Sequence, residues 1–385
     1  VRAGSVIRRL LVLGLGLLAL AASADTPTPP EVAARQHLLI DLASGRVLAE
    51  HEADTALDPA GATPLMTAYV ALGAIQDGRP ARDSTSAISP RARAERRPGV
   101  PLMYATGTVR IDELLRGVAV LGARDAAVAL AEGVSGSVED FVAQMNRRAL
   151  AIGLSQTLFR NPTGEPASGQ TSTPRELATL AARLMSEHAD DLPLFALRQL
   201  EHAGVRQDNP NLLLARDGSI GGLAVMASPS AGHGVVATAL RDTPAGPRRL
   251  LVVLSGASSR EAAAGEAQKL LNWGWQAWDA VRLYAAGQPV TTVPVWKGAA
   301  NTVALGAAGA LVVTVPRGDG ARLQTTLTRT EPLVAPLVQG QEVGRIEVVT
   351  AGGTPVANVP LVVQQAVPLA GVLGRAWDAI RLWIR

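Results

Sequence analysis

The sequence predicts an α/β protein: helices packed on an antiparallel sheet, then a small all-β module, then a C-terminal amphipathic helix. Three observations carry this. Short apolar strands with Gly- and Pro-containing turns flank a long middle stretch of helical periodicity. From about Leu283 the texture changes to brief β runs separated by Gly, Pro and Asn, the pattern of a small sandwich. Residues 368–385 carry apolar side chains at three- and four-residue steps.

The chain has 385 residues, enough for two domains, and 48% of it is hydrophobic, a globular composition. The formal net charge is only +3, and no phosphate loop, metal cluster or nucleic-acid signature is present, so neither cofactor nor nucleic-acid partner is expected. The absence of cysteine excludes disulfides, a thiol nucleophile and Cys-type zinc sites. Only two lysines occur, Lys269 and Lys297. Residues 1–24 read as a secretory signal, with Arg2, Arg8 and Arg9 before the apolar run Leu10–Ala22 and an A-x-A site at Ala22-Ser23-Ala24. The alternative, an uncleaved anchor, needs a longer apolar run than this one. Val1 in place of Met fits an alternative start codon or a truncated reading. The Pro/Thr-rich stretch 25–34 reads as a flexible linker.

The first domain is expected over 35–282. His37–Leu42 and Val47–Glu50, joined through Gly45, form a β-hairpin. Leu57-Asp58-Pro59-Ala60-Gly61-Ala62-Thr63-Pro64 opens a helix, with Pro64 near its start, where proline is tolerated. After a polar stretch, Ile111, Leu114 and Leu115 mark helical spacing, and an Ala-rich helix follows Asp125-Ala126. Thr173-Pro174-Arg175-Glu176 carries a cap, a first-turn proline and a Glu three residues after the cap. Leu223–Ser228, His233–Arg241 and Arg248–Ser255 read as an antiparallel meander. The β module is expected over 283–367, with strands at Val293–Trp296, Leu311–Pro316, Leu323–Thr328, Gly344–Val349 and Val359–Gln364.

Several of these runs, in this order, resemble the serine-type D-alanyl-D-alanine carboxypeptidases, the low-molecular-mass penicillin-binding proteins. The runs are Ile40-Asp41 through Ser44-Gly45 to Val47-Leu48, Asp58-Pro59-Ala60, Asp125-Ala126, Met145-Asn146, Asn161-Pro162-Thr163-Gly164 and Ser172 to Ala178. The resemblance implies a serine β-lactamase-like transpeptidase domain, a small C-terminal sandwich and cleavage of a terminal D-alanine from peptidoglycan pentapeptides through an acyl-enzyme. It also implies three catalytic motifs, and all three depart from the family pattern here. Gly61 and Pro64 stand at the nucleophilic serine and the lysine of Ser-x-x-Lys. Gly122 and Arg124 stand at the serine and asparagine of Ser-x-Asn. Ala224, Val225 and Met226 replace Lys-Thr-Gly, the strand that binds the substrate carboxylate.

An acylation mechanism needs an activated hydroxyl beside a base, and these positions supply neither. The expectation is therefore a catalytically inactive homologue acting as an envelope scaffold or regulator, with other cell-wall proteins or peptidoglycan as partners. Two alternatives stand beside it: an active carboxypeptidase using Thr63, Thr67 or His233, and a module that binds muropeptide uncut. Arg124 reads either as a surface or salt-bridged arginine or as a side chain filling the former cleft against a carboxylate. Asp58 and Asp125 read as structural residues at helix ends. Restoring Gly61→Ser together with Pro64→Lys is expected to fold but not to acylate. In residues 368–385, Leu373, Trp377, Ile380, Trp383 and Ile384 share one helical face opposite Arg375, Asp378, Arg381 and Arg385. The run is too short and too charged to span a bilayer. It reads as an anchor on the periplasmic face of the inner membrane, in keeping with the resemblance, or alternatively as a helix docked on the β module.

Overall fold

The computed structural model describes residues 26–95, 107–202 and 204–371. The signal segment, most of the loop before Gly107, and the five apolar residues assigned to the anchor lie outside them.

The chain opens with β1 (Gln36–Asp41) and β2 (Arg46–His51), the expected hairpin. A 3₁₀ turn at Ala60–Ala62 feeds α1 (Thr63–Gln76). Next come β3 (Thr85–Ala87), α2 (Pro90–Ala94) and β4 (Thr108–Arg110). Helices α3 (Ile111–Leu121), α4 (Arg124–Ser135), α5 (Val138–Ala151), α6 (Pro174–Glu187) and the short α7 (Leu192–Phe195) form the helical layer. A hairpin of β5 (Gln199–His202) and β6 (Val205–Asp208) and the single turn α8 (Leu213–Arg216) lead to the meander. The meander is β7 (Ile220–Ser228), β8 (Gly232–Thr243) and β9 (Gly246–Ala257), closed by α9 (Arg260–Ala277).

The main sheet is antiparallel in the order β2-β1-β9-β8-β7. Its central strands are buried on both faces, which is why β9 reads Leu250-Leu251-Val252-Val253-Leu254 without alternation. One face packs on the helical layer through Leu38, Leu251 and Val253, and the other on α9 through Leu39, Leu250 and Val252. The cap of α6 is as its residues predict: Thr173 Oγ1 accepts from Glu176 N at 3.1 Å.

The C-terminal module holds β10 (Trp278–Tyr284), β11 (Thr291–Pro294), β12 (Thr302–Ala307), β13 (Leu311–Pro316), β14 (Gln324–Arg329), β15 (Glu342–Val349) and β16 (Pro355–Val363). A five-stranded sheet, β11-β12-β16-β15-β14, and the ribbon β10-β13 enclose one apolar core. The β texture thus begins at Trp278, ahead of Leu283, because α9 passes directly into β10. β12 escapes the sequence pattern because its small residues and Gly306 mute the strand signal.

A buried ion pair between β1 and β9 of the main sheet is hydrogen-bonded to the β module. Asp41 Oδ2 accepts from Arg248 Nε at 2.7 Å and from Thr314 Oγ1 at 2.7 Å, with Asp41 fully buried. Arg248 Nη1 donates to Trp278 O, and Arg46 Nη1 to Thr314 O. Removing one partner of such a pair strands the other charge without water. Asp41→Ala is expected to cost about 3–5 kcal/mol in urea denaturation, and a loss below about 1 kcal/mol, the scale of an exposed pair, would show that the pair does not behave as a buried one.

Candidate functional site where the three motif positions meet

Five of the seven predicted motif positions line one cavity of about 180 Å³: Gly61, Pro64, Gly122, Ala224 and Val225. Three elements bring them together. The 3₁₀ turn and the start of α1 supply Gly61 and Pro64. The break between α3 and α4 supplies Gly122, whose left-handed backbone (φ 59°, ψ 36°) ends α3 as glycine at a helix C-terminus does. The edge strand β7 supplies Ala224 and Val225.

The backbones meet more closely than side chains allow. A Cβ added at Gly61 would overlap the carbonyl oxygen of Val225 and lie 3.6 Å from Met226 Cα. β7 therefore rests directly on the 3₁₀ turn. On the opposite side, a Cβ at Gly122 would lie 3.9 Å from Pro64 Cγ, so the proline ring occupies the space between the first two motif positions. Met226 does not project into the cavity: it is 2% exposed, its Cε would be 2.7 Å from a Cβ at Gly234 on β8, and it belongs to the core against the helical layer.

Arg124 also lies outside the cavity lining. Its Nη2 pairs with Glu95 Oε2 at 2.8 Å and with Glu165. Of the two readings of this side chain, the structure gives a salt-bridged arginine clamping the end of α2 and the loop after Gly164 to the start of α4. Sequence reasoning missed both carboxylates. Glu165 follows the Asn-Pro-Thr-Gly run and had that signal; Glu95 had none.

The hydroxyls weighed as substitute nucleophiles are not presented to the cavity. Thr63 is fully buried, with no hydrogen-bond partner for Oγ1 among the described residues. Thr67 Oγ1 donates to Pro162 O at 2.7 Å. His233 sits at the start of β8 within electrostatic range of Glu261 and does not line the cavity. The Tyr69 phenol donates to Glu187 Oε2 at 2.6 Å; burial, with this bond, pushes it up to about 12, so it is a donor and not a base. Asp58 Oδ1 accepts from Ala60 N at 3.0 Å and so braces the 3₁₀ turn. Asp125 is buried in the first turn of α4. The polar lining that sequence reasoning missed consists of Thr163, Asn209 and Arg260. Thr163 Oγ1 already donates to Asn161 Oδ1 at 3.1 Å. Among the described residues no group of three or more His, Asp or Glu side chains is placed to hold a metal ion.

This geometry adds a cost to the double change that is expected to fold. Proline at position 64 is tolerated, as the sequence suggests, but restoring a side chain at Gly61 is not neutral, because backbone rather than a movable side chain fills the space. Gly61→Ser is expected to cost about 1–3 kcal/mol through displacement of β7, read as a lowered Tm. An unchanged Tm would show that β7 lifts from the turn freely.

Comparison with known proteins agrees with the fold. The family model described as D-alanyl-D-alanine carboxypeptidase matches residues 23–258, and that of penicillin-binding protein 5, C-terminal domain, matches residues 278–369. The Escherichia coli K12 D-alanyl-D-alanine carboxypeptidases DacC and DacA are 34% and 32% identical, over 94% and 92% of this chain and 91% and 89% of theirs. The crystal structure of penicillin-binding protein 5 from Haemophilus influenzae superposes with a TM-score of 0.82 at 29% identity, covering 89% of this chain and 99% of that one. In ordered motifs, sheet topology and extent of match alike, the chain belongs to the D-alanyl-D-alanine carboxypeptidase family.

Proposed function

We propose that this family member carries out no acyl-enzyme chemistry and acts in the cell envelope as a scaffold or regulator of peptidoglycan metabolism. The observation that carries the reading is Gly61, where the family resemblance expects the nucleophile and where the Val225 carbonyl fills the space of a side chain. The lysine position holds a proline packed toward Gly122, so these two positions offer neither attacking oxygen nor base. The names of the relatives favour the rival, an active carboxypeptidase with an unfamiliar nucleophile. The remaining cavity favours a third reading, a muropeptide held uncut beside Asn209 and Arg260. The loss of Lys-Thr-Gly weighs against that mode, since Ala224 and Val225 offer no side-chain group to a carboxylate.

Location belongs to the same proposal. Residues 1–24 direct export, and residues 368–385 attach the protein peripherally to the periplasmic face of the inner membrane. Among the described residues no helix is long and apolar enough to cross a membrane.

Three assays on the purified protein and one truncation test the proposal. The purified protein is expected to give no covalent adduct with fluorescent penicillin, no D-alanine from a pentapeptide and no calorimetric heat with purified muropeptides. A penicillin adduct, or D-alanine release lost on changing Thr63 or His233, overturns the inactive reading; heat without cleavage replaces it with the binding module. Deleting residues 369–385 is expected to move the protein from the membrane fraction to the soluble periplasm, and a truncated, signal-free protein that still pellets with membranes overturns the anchor.

A further inference from the structure

Residues 332–338 read Pro-Leu-Val-Ala-Pro-Leu-Val, with no polar side chain in the run. The segment alternates in burial: Leu333, Ala335 and Leu337 are 4–5% exposed and face the module core, while Val334 and Val338 are 38% and 67% exposed. Half-buried extended segments ordinarily place polar residues on the outer face. Here the outer face is Val334, Pro336 and Val338.

Backbone hydrogen bonds tie this segment to the exit of the chain. Trp296 N donates to Leu333 O at 2.8 Å, and Ala335 N to Trp296 O at 2.9 Å. Leu337 and Val367 exchange both of their backbone bonds at 2.9 Å. Ala299 N donates to Pro368 O, and Ala370 N to Lys297 O, each at 2.8 Å. The three segments form one knot, at which Leu369, 45% exposed, is followed by Gly371 and then by the amphipathic run 372–385.

We infer that the face formed by Val334 and Val338, with the exposed Leu369 at the adjoining chain exit, is a second membrane-contact surface, which seats the β module on the lipid beside the C-terminal segment. The inference rests on the membrane-attachment reading. The position of the face decides its occupant. The chain leaves the described structure beside it, and the next residues bring Leu373, Trp377, Ile380, Trp383 and Ile384 with three arginines, a composition suited to an anionic lipid interface. Pro332 and Pro336 lack backbone donors, which disfavours a second copy adding a strand here. Two contact sites on one chain, close together in sequence, act together, so the second strengthens the first.

The chain contains no cysteine, so a single introduced one reports cleanly. The mature full chain carrying Val338→Cys, labelled with an environment-sensitive fluorophore, is mixed with vesicles of equal parts phosphatidylethanolamine and phosphatidylglycerol. A blue shift on binding is expected. Val334→Glu with Val338→Glu is expected to weaken sedimentation with the same vesicles by roughly tenfold at unchanged Tm, because both side chains face outward. Deleting residues 372–385 separates the two readings. If deletion abolishes binding while the label stays unshifted in the full chain and the double Glu variant binds normally, the surface is overturned and the anchor stands. If deletion changes nothing while the Glu pair weakens binding, the anchor falls and the surface stands. A dimer in sedimentation analysis that the Glu pair dissolves shows the face to be a contact between copies and overturns the inference.

Discussion

The approach of β7 to the 3₁₀ turn before α1 is the constraint on which the centre of this protein depends. Two backbone segments come within contact because position 61 carries no side chain. A serine there needs room for Cβ and Oγ, and a strand that accommodates it must stand further off. Once the side chain is absent, β7 settles onto the turn and the gap becomes packed backbone. Met226 turns inward among apolar neighbours on the same strand, and Pro64 fills the opposite wall. Each change is compatible with the others, because all concern one shared volume. A close-packed interior transmits such an adjustment across the site, and a cavity of about 180 Å³ remains between the three elements.

The surrounding frame survives because little of it is secured through that volume. The sheet is held by its own ladders and by apolar layers on both faces. Asp41, Arg248 and Thr314 join the sheet to the β module at a position that no motif residue occupies. Around the cavity, Arg124 with Glu95 and Glu165 links three segments by charge. A catalytic centre of buried lysine, serine and asparagine has to satisfy every donor and acceptor or carry the cost of desolvation. The glycines, proline, alanine, valine and methionine at these positions make no such demand, and Arg124 directs its charge to Glu95 and Glu165.

Much of this was legible in the sequence, for stated physical reasons. The α6 start announced itself through Thr173, Pro174 and Glu176, since capping is local chemistry. The first hairpin and the meander were legible through their apolar runs and turn residues. The convergence of Gly61, Pro64, Gly122, Ala224 and Val225 on one cavity was legible only through the family resemblance, because the positions are far apart in the chain. What stayed hidden depends on distances that sequence does not encode locally. Nothing near Glu95 marks it as a partner of Arg124, and nothing in the run at 332–338 says which alternate residues face out. The polar hairpin β5–β6 and the small-residue strand β12 lack the apolar signal by which strands are recognised.

On the proposed reading, the chemistry left to this fold lies at its surface. The cavity retains Asn209 and Arg260 as polar groups and is small. The outward apolar face near residues 334–338 lies instead where the chain departs toward its amphipathic end. Apolar surface exposed on one side of a compact module is removed from water only by a partner or a lipid interface. The location of that face beside the exit of the chain, together with a backbone that prolines make unsuited to strand addition, favours the interface over a protein partner. On this argument attachment does not depend on catalysis, because the surface that would hold the protein to a membrane shares no residue with the site where the family's chemistry would occur.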